Sequence, residues 1–175
     1  QTMTSMIRIA STAVVCQEAV LVGDITIGEG TIIQPKASII AEAGPIIIGP
    51  NNIVEELVVI KNSFPTNASE EDKKISRIMK IGANNIFEVG AVVESKEIGN
   101  DNTIETRAVL GYDTLVKNHC VIGMAQQVPP LDVLEDNTVV WGHGNISNNI
   151  RSSEIHQSTH PKHLEILSKT LPNFH

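Results

Sequence analysis

Broken into sixes, residues 98–139 read IGNDNT-IETRAV-LGYDTL-VKNHCV-IGMAQQ-VPPLDV-LEDNTV, and Val140 opens the next hexad. The leading residues Ile98, Ile104, Leu110, Val116, Ile122, Val128, Leu134 and Val140 are all aliphatic. In a chain that is 41% hydrophobic, eight such hits in one phase arise by chance with a frequency of ~0.1%. The stretch is therefore a structural repeat of six residues.

The same phase recurs upstream at Ile9, Val15, Leu21, Ile27, Ile33 and Ile39, then at Ile48, Val54, Ile60 and at Ile81, Phe87, Val93. Position two of the hexad is often Gly (Gly28, Gly49, Gly82, Gly99), where a corner needs a residue without a Cβ. Position five is small or a short amide. A short strand with one inward aliphatic, followed by a turn with one small inward residue, makes one side of a triangular prism. Three sides close a coil, and coils stack at the interstrand spacing of about 4.8 Å. The pattern predicts an all-β solenoid, a parallel β-helix of about seven coils over residues 7–145.

Labelling the sides A, B and C from Ile9 starts coils at Ile9, Ile27, Ile48, Ile81, Ile98, Val116 and Leu134. Every irregular spacing then falls after a C side, so all insertions map to one edge of the prism. The longest, a loop around 61–80, carries the charged run Ser69-Glu70-Glu71-Asp72-Lys73-Lys74 and is read as an exposed excursion. At one corner Asn52, Asn85 and Asn102 fall in register on consecutive coils, which predicts a stacked amide ladder. Residues 146–175 form a C-terminal extension. There, Pro161 in the first turn, one face bearing Leu164, Leu167 and Leu171, and Pro172 as a stop predict a helix over about 161–171.

Composition narrows the function. A net charge of −7 argues against nucleic acid or an anionic membrane surface as partner. No run of apolar residues is long enough for membrane insertion. Cys16 and Cys120 are too far apart for a Cys-x-x-Cys motif and read as buried thiols in a reducing, cytosolic setting.

Many hexapeptide-repeat proteins are acyltransferases or gamma-class carbonic anhydrases, and both activities need specific residues. The carbonic anhydrases carry three zinc histidines ahead of an Ile-Gly-Met, which this chain has at Ile122-Gly123-Met124. Laid on this sequence, the histidine positions hold Glu94, Arg107 and Tyr112. The expectation is no metal and no cofactor. His119 is the one candidate general base within the repeats, and a turn histidine explains it as well.

Four further segments carry a resemblance: Ile39–Ile46 (IIAEAGPI), Asn52–Glu56 (NIVEE), Ile81–Gly90 (IGANNIFEVG) and the ending Leu171–His175 (LPNFH). They resemble the smaller hexapeptide-repeat subunits of the dynactin pointed-end complex, the subunit 6 family. The resemblance implies a left-handed β-helix, against the usual right-handed crossover. It implies a non-enzymatic, cytoplasmic and cytoskeleton-associated role in dynein-dependent transport along microtubules. The implied partners are the related subunit 5 and other pointed-end subunits, the actin-related protein and the zinc-binding subunit 4. A hexapeptide enzyme is the alternative function.

The residue before each leading aliphatic is expected to point outward. On side B these are Val14, Ile32, Ile53, Ile86, Thr103, Val121 and Val139, an apolar stripe beside the stacked Glu55, Glu88 and Glu105. An apolar stripe with an acidic column predicts a protein interface whose partner supplies basic groups. Side C, whose outward residues are Val20, Ser38, Val59, Val92, Val109 and Gln127, is the second candidate face. Strand propensity of β-branched residues or cover by the C-terminal helix is the competing expectation.

Overall fold

A computed structural model describes residues 5–142, 145–148 and 151–173. Each hexad contributes a strand of two to four residues, too short to stand alone but paired at every coil. Three parallel sheets result. Side A runs Ile9, Ile27, Ile48, Ile81, Ile98, Val116, Leu134 as direct partners. Side B runs Val15, Ile33, Val54, Phe87, Ile104, Ile122, Val140. Side C runs Leu21, Ile39, Ile60, Val93, Leu110, Val128. The solenoid therefore has seven strands on side A, one per coil. The leading aliphatics from Val15 onward, apart from the half-covered Leu21, are buried, and with the small position-five residues they fill the prism.

Two backbone devices make the coils stack. At position two of side A, Gly28, Gly49, Gly82 and Gly99 lie directly over one another, and a Cβ on Gly49 would sit 2.5 Å from the Gly82 carbonyl oxygen. The glycines are there for close approach. The left-handed backbone falls instead at position four, from Lys36 (φ 61°) through Leu57, Arg107 and His119 to Asn137 (φ 63°). Six of the eleven described non-glycine residues there are Asn, Asp or His, which tolerate that region. Lys36 and Arg107 do not favour it, but their amides donate to the turn of the preceding coil, Lys36 N to Glu18 O at 3.2 Å and Arg107 N to Val89 O at 3.0 Å. The inter-coil bond offsets the local strain.

The C-terminal extension differs from the sequence expectation. Asn145–Asn148 forms a strand antiparallel to Thr138–Trp141, and the helix, α1, spans Arg151–Thr170 with Pro161 inside it. Helix α1 starts ten residues before the expected 161. Proline's preference for a first turn suggested the later start, but a single lost amide donor is tolerable in a helix that packs on a wall. At about 1.5 Å per residue the helix is about 30 Å long, close to the height of seven coils. The excursion leaves the stack after Asn62 and rejoins it at Met79, with one 3-10 turn at Asp72–Lys74.

Candidate functional site

The three positions that correspond to zinc histidines do not converge. Glu94 and Tyr112 line a cleft of about 700 Å³ between the excursion and the C–A edge. Arg107 does not line it; it sits in a turn on the B side of the next coil, exposed, with φ 58°. Within the cleft, Arg77 Nη2 lies 2.5 Å from Asp113 Oδ1, and its guanidinium carbon is 5.2 Å from the Tyr112 ring centroid. Burial pushes the Tyr112 phenol up, against the pull of the nearby Arg77 cation. The cluster pins the excursion to the prism. Among the described residues no group of three His, Cys, Asp or Glu side chains is placed to hold a metal. His119, at an A–B corner, has Nδ1 3.9 Å from Asp101 Oδ2, too long for the hydrogen bond that would orient a base.

The asparagine column is fully buried. Asn85 Nδ2 donates to Asn52 Oδ1 at 3.0 Å and Asn102 Nδ2 donates to Asn85 Oδ1 at 3.0 Å. Each side-chain oxygen also accepts the backbone N–H one coil on: Asn85 N at 2.9 Å, Asn102 N at 2.9 Å and Cys120 N at 2.7 Å. Their second amide hydrogens reach the carbonyls of Gly99 and Lys117. The column extends upward to Cys120, whose thiol burial pushes to about 11. It stitches the corner and presents nothing to a ligand.

Side B does not offer the free stripe expected from the sequence. Val14, Ile32 and Ile53 are buried, because α1 lies over this side and packs against Ile32–Ile33. His160 is buried in the contact, its Nε2 2.6 Å from the Asn51 carbonyl oxygen. Ile86, Thr103, Val121 and Val139 are half-buried. The acidic column also has its partners within the chain. Glu55 Oε2 accepts the Val89 amide at 3.0 Å, Glu88 Oε2 the Thr106 amide at 2.9 Å, and Glu105 Oε2 the Met124 amide at 2.8 Å. Each carboxylate therefore bonds the turn of the next coil, which explains the register without a basic partner. Outward apolar residues read the same in sequence whether their cover is a partner or the chain's own helix.

The ends of the prism supply a surface that the periodicity did not single out. Sheet B is closed at both ends by the C-terminal extension. At the late end the Asn145–Asn148 strand covers Thr138–Trp141. At the early end Asn173 Oδ1 accepts the Val15 amide at 3.3 Å, and Asn173 Nδ2 donates to the Ala13 carbonyl at 3.1 Å. Sheets A and C have no such cover among the described residues. Their terminal strands are Ile7–Ile9 and Val20–Val22 at one end, Val133–Leu134 and Gln127–Val128 at the other. Exposed apolar side chains gather there: Val20 and Val22 early, Leu131 (69% exposed) and Val133 late, with the exposed Trp141 on the neighbouring sheet B. A hollow of about 530 Å³ at the late end is lined by Val128, Leu134, Val140 and Ile146, of which the three core residues stay buried while Ile146 is exposed. The sequence signal was available: the hexads end after Val140, in the middle of a coil, beside the single Trp141.

Comparison with known proteins places these features. No protein-family model matches the chain. Curated relatives named dynactin subunit 6 align over nearly all of it. One from Xenopus tropicalis is 40% identical over 169 residues, 97% of this chain and 83% of that protein. One from Nematostella vectensis is 41% identical over 169 residues, 97% and 90% of the two chains. One from Dictyostelium discoideum is 37% identical over 168 residues, 93% and 83%. Among solved structures, a hexapeptide transferase family protein from Anaplasma phagocytophilum superposes with a TM-score of 0.80 at 11% identity, covering 94% and 93% of the chains. The fold is thus the left-handed β-helix of hexapeptide proteins.

Proposed function

The chain belongs to the dynactin subunit 6 family, and from that membership we propose that it acts as a non-catalytic structural subunit of the dynactin pointed-end complex. In that role it is cytoplasmic and supports dynein-dependent transport through protein contacts alone. The observation that carries the reading is the pair of open edges. Sheets A and C end in strands whose outer edges have no partner among the described residues and are flanked by exposed apolar side chains, a template onto which another parallel β-coil can add. Subunit 5, a related hexapeptide protein, is the partner proposed for one end.

The substitutions Leu131→Lys and Val133→Lys place two charges on the late edge at exposed positions. The expected result is loss of co-purification with subunit 5 at an unchanged melting temperature. Retention of subunit 5 by the double variant overturns the late end as the contact. The transferase fold of the structural neighbour motivates one competing reading, a hexapeptide enzyme. Stoichiometric zinc in protein purified without added metal, together with carbon dioxide hydration, would favour that reading over ours.

A further inference from the structure

The excursion carries chemistry that neither the coil stack nor the open edges use. Its tip presents Ser69 followed by Glu70, Glu71 and Asp72, all exposed. Ser69 Oγ donates to Asp72 Oδ2 at 2.7 Å, the Ser69 amide donates to the same oxygen at 2.9 Å, and the Asp72 amide donates back to Ser69 Oγ at 3.1 Å. These bonds hold the Asp72 carboxyl below its ordinary range. Lys73 and Lys74 are paired with Glu70 and Glu71.

The tip is a unit closed on itself. The bonds of its turn run from Lys73 to Ser69, Lys74 to Glu71 and Ile75 to Asp72, and Ala68 bonds Pro65. Among the described residues, the hydrogen bonds that tie the excursion to the prism lie at its base, where Arg77 N donates to the Ala43 carbonyl and Asn62 Nδ2 to the Arg77 carbonyl, with the Arg77–Asp113 pair beside them. The tip can therefore straighten without breaking a bond of the sheets.

We propose that Ser69 is a phosphoacceptor for a serine kinase with a basic substrate groove, and that phosphorylation opens the turn Ser69 now caps. Three carboxylates directly after the serine give the charge complementarity such a groove selects. A tip that extends at the cost of a few local bonds gives the access. In the transfer, Ser69 Oγ forms a bond to the γ-phosphorus of Mg-ATP, the bond from that phosphorus to the β–γ bridging oxygen breaks, and ADP leaves. The hydroxyl proton passes to the kinase's base. The product places a phosphate dianion where a hydroxyl now donates to a carboxylate, and like charges there repel. Asp72 and Ile75 also wall the cleft at the C–A edge, so the change is felt at the prism surface.

The full chain, incubated with Mg-ATP and an acidophilic serine kinase of the casein-kinase type, is expected to take one phosphoryl group, mapped by peptide mass spectrometry to Ser69. Ser69→Ala abolishes the label, and Asp72→Asn slows it by roughly tenfold. In the phosphorylated chain the amides of Lys73, Lys74 and Ile75 exchange faster, while those of the sheets do not change. Labelling of a synthetic peptide of residues 63–78 but not of the folded chain overturns the proposal, as does equal labelling by a kinase that prefers basic sequences. Undiminished protection of the three turn amides after phosphorylation overturns the opening step.

Discussion

Asn173, near the end of the chain, bonds the strand that opens side B: its side-chain amide takes the Val15 N–H and gives to the Ala13 carbonyl. Those two backbone groups face away from the second coil, whose bonds are made by Val14 N and Cys16 N. A single side chain thus supplies the hydrogen bonds of a missing strand. It also ties the chain just past the far end of α1 to this edge, beside the His160–Asn51 contact that holds the helix over side B.

Asn173→Ala is expected to speed hydrogen exchange at the Val15 amide and to loosen the end of α1, with a loss of about 1 kcal/mol in global stability. Exchange at the central coils stays unchanged, because coils interact with nearest neighbours. Unaltered exchange at Val15 would show that the edge is closed some other way.

The asparagine corner predicts a larger effect. Asn85 makes four hydrogen bonds at a site with no solvent access, and its oxygen also serves Asn102 Nδ2. Asn85→Leu keeps the backbone bond to Asn52 Oδ1 but removes the side-chain bonds, leaving the buried Asn102 backbone N–H without its acceptor and the Gly99 carbonyl without that donor. A destabilisation of about 3 kcal/mol or more is expected in urea unfolding. A change below about 0.5 kcal/mol would mean that the ladder contributes little.

What was legible in the sequence is what repeats. An inward aliphatic at every sixth residue fixes strand, register and coil, and the insertions fall on one edge because only there can a loop leave without breaking a ladder. The asparagine column was visible for the same reason. Features that depend on how the ends fold back were not. The start of α1 was hidden by Pro161, which sits well at a first turn and yet lies inside the helix. Val14, Ile32 and Ile53 looked like a docking stripe because sequence cannot name their cover. Glu55, Glu88 and Glu105 looked like an unsatisfied column because each bonds an amide more than sixteen residues away. Arg107 was grouped with Glu94 and Tyr112 by alignment, and the prism separates it by a side.

Gly49→Ala tests the stacking of coils. Its Cβ would meet backbone, the Gly82 carbonyl oxygen at 2.5 Å, and backbone in a ladder cannot move aside. We expect a loss of about 2 kcal/mol or more, read from the urea midpoint. The same change at Gly90 meets only the Arg107 Cγ at 3.4 Å, but there φ is 71°, so its cost is conformational, about 1 kcal/mol.

Glu55 gives a pH dependence. Burial pushes its carboxyl above the ordinary 4.5, against the pull of the Val89 hydrogen bond, and Glu88 adds to the rise. The native state therefore holds this proton to higher pH than the unfolded chain does, so its contribution to stability falls as pH rises above 4.5. Glu55→Gln keeps an oxygen for the Val89 amide and removes the charge. The variant should lose stability less than the wild type between about pH 4 and about pH 7. Parallel stability curves would show that Glu55 titrates alike in both states.

Ile53→Lys separates the two explanations of side B in one measurement. Ile53 is fully buried beneath α1, beside Asn52 of the amide ladder and two residues from Asn51, whose carbonyl oxygen meets His160. A lysine there must either bury its ammonium or push the helix away. The expected cost is about 3 kcal/mol or more, with faster exchange along α1. Val121→Lys lies on the same stripe but is half-buried, so its charged head can reach water past an apolar stem and the cost should stay within about 1 kcal/mol. If Ile53→Lys instead unfolds at the wild-type urea concentration and only loses partner binding, the helix is not the cover and the stripe is an interface after all.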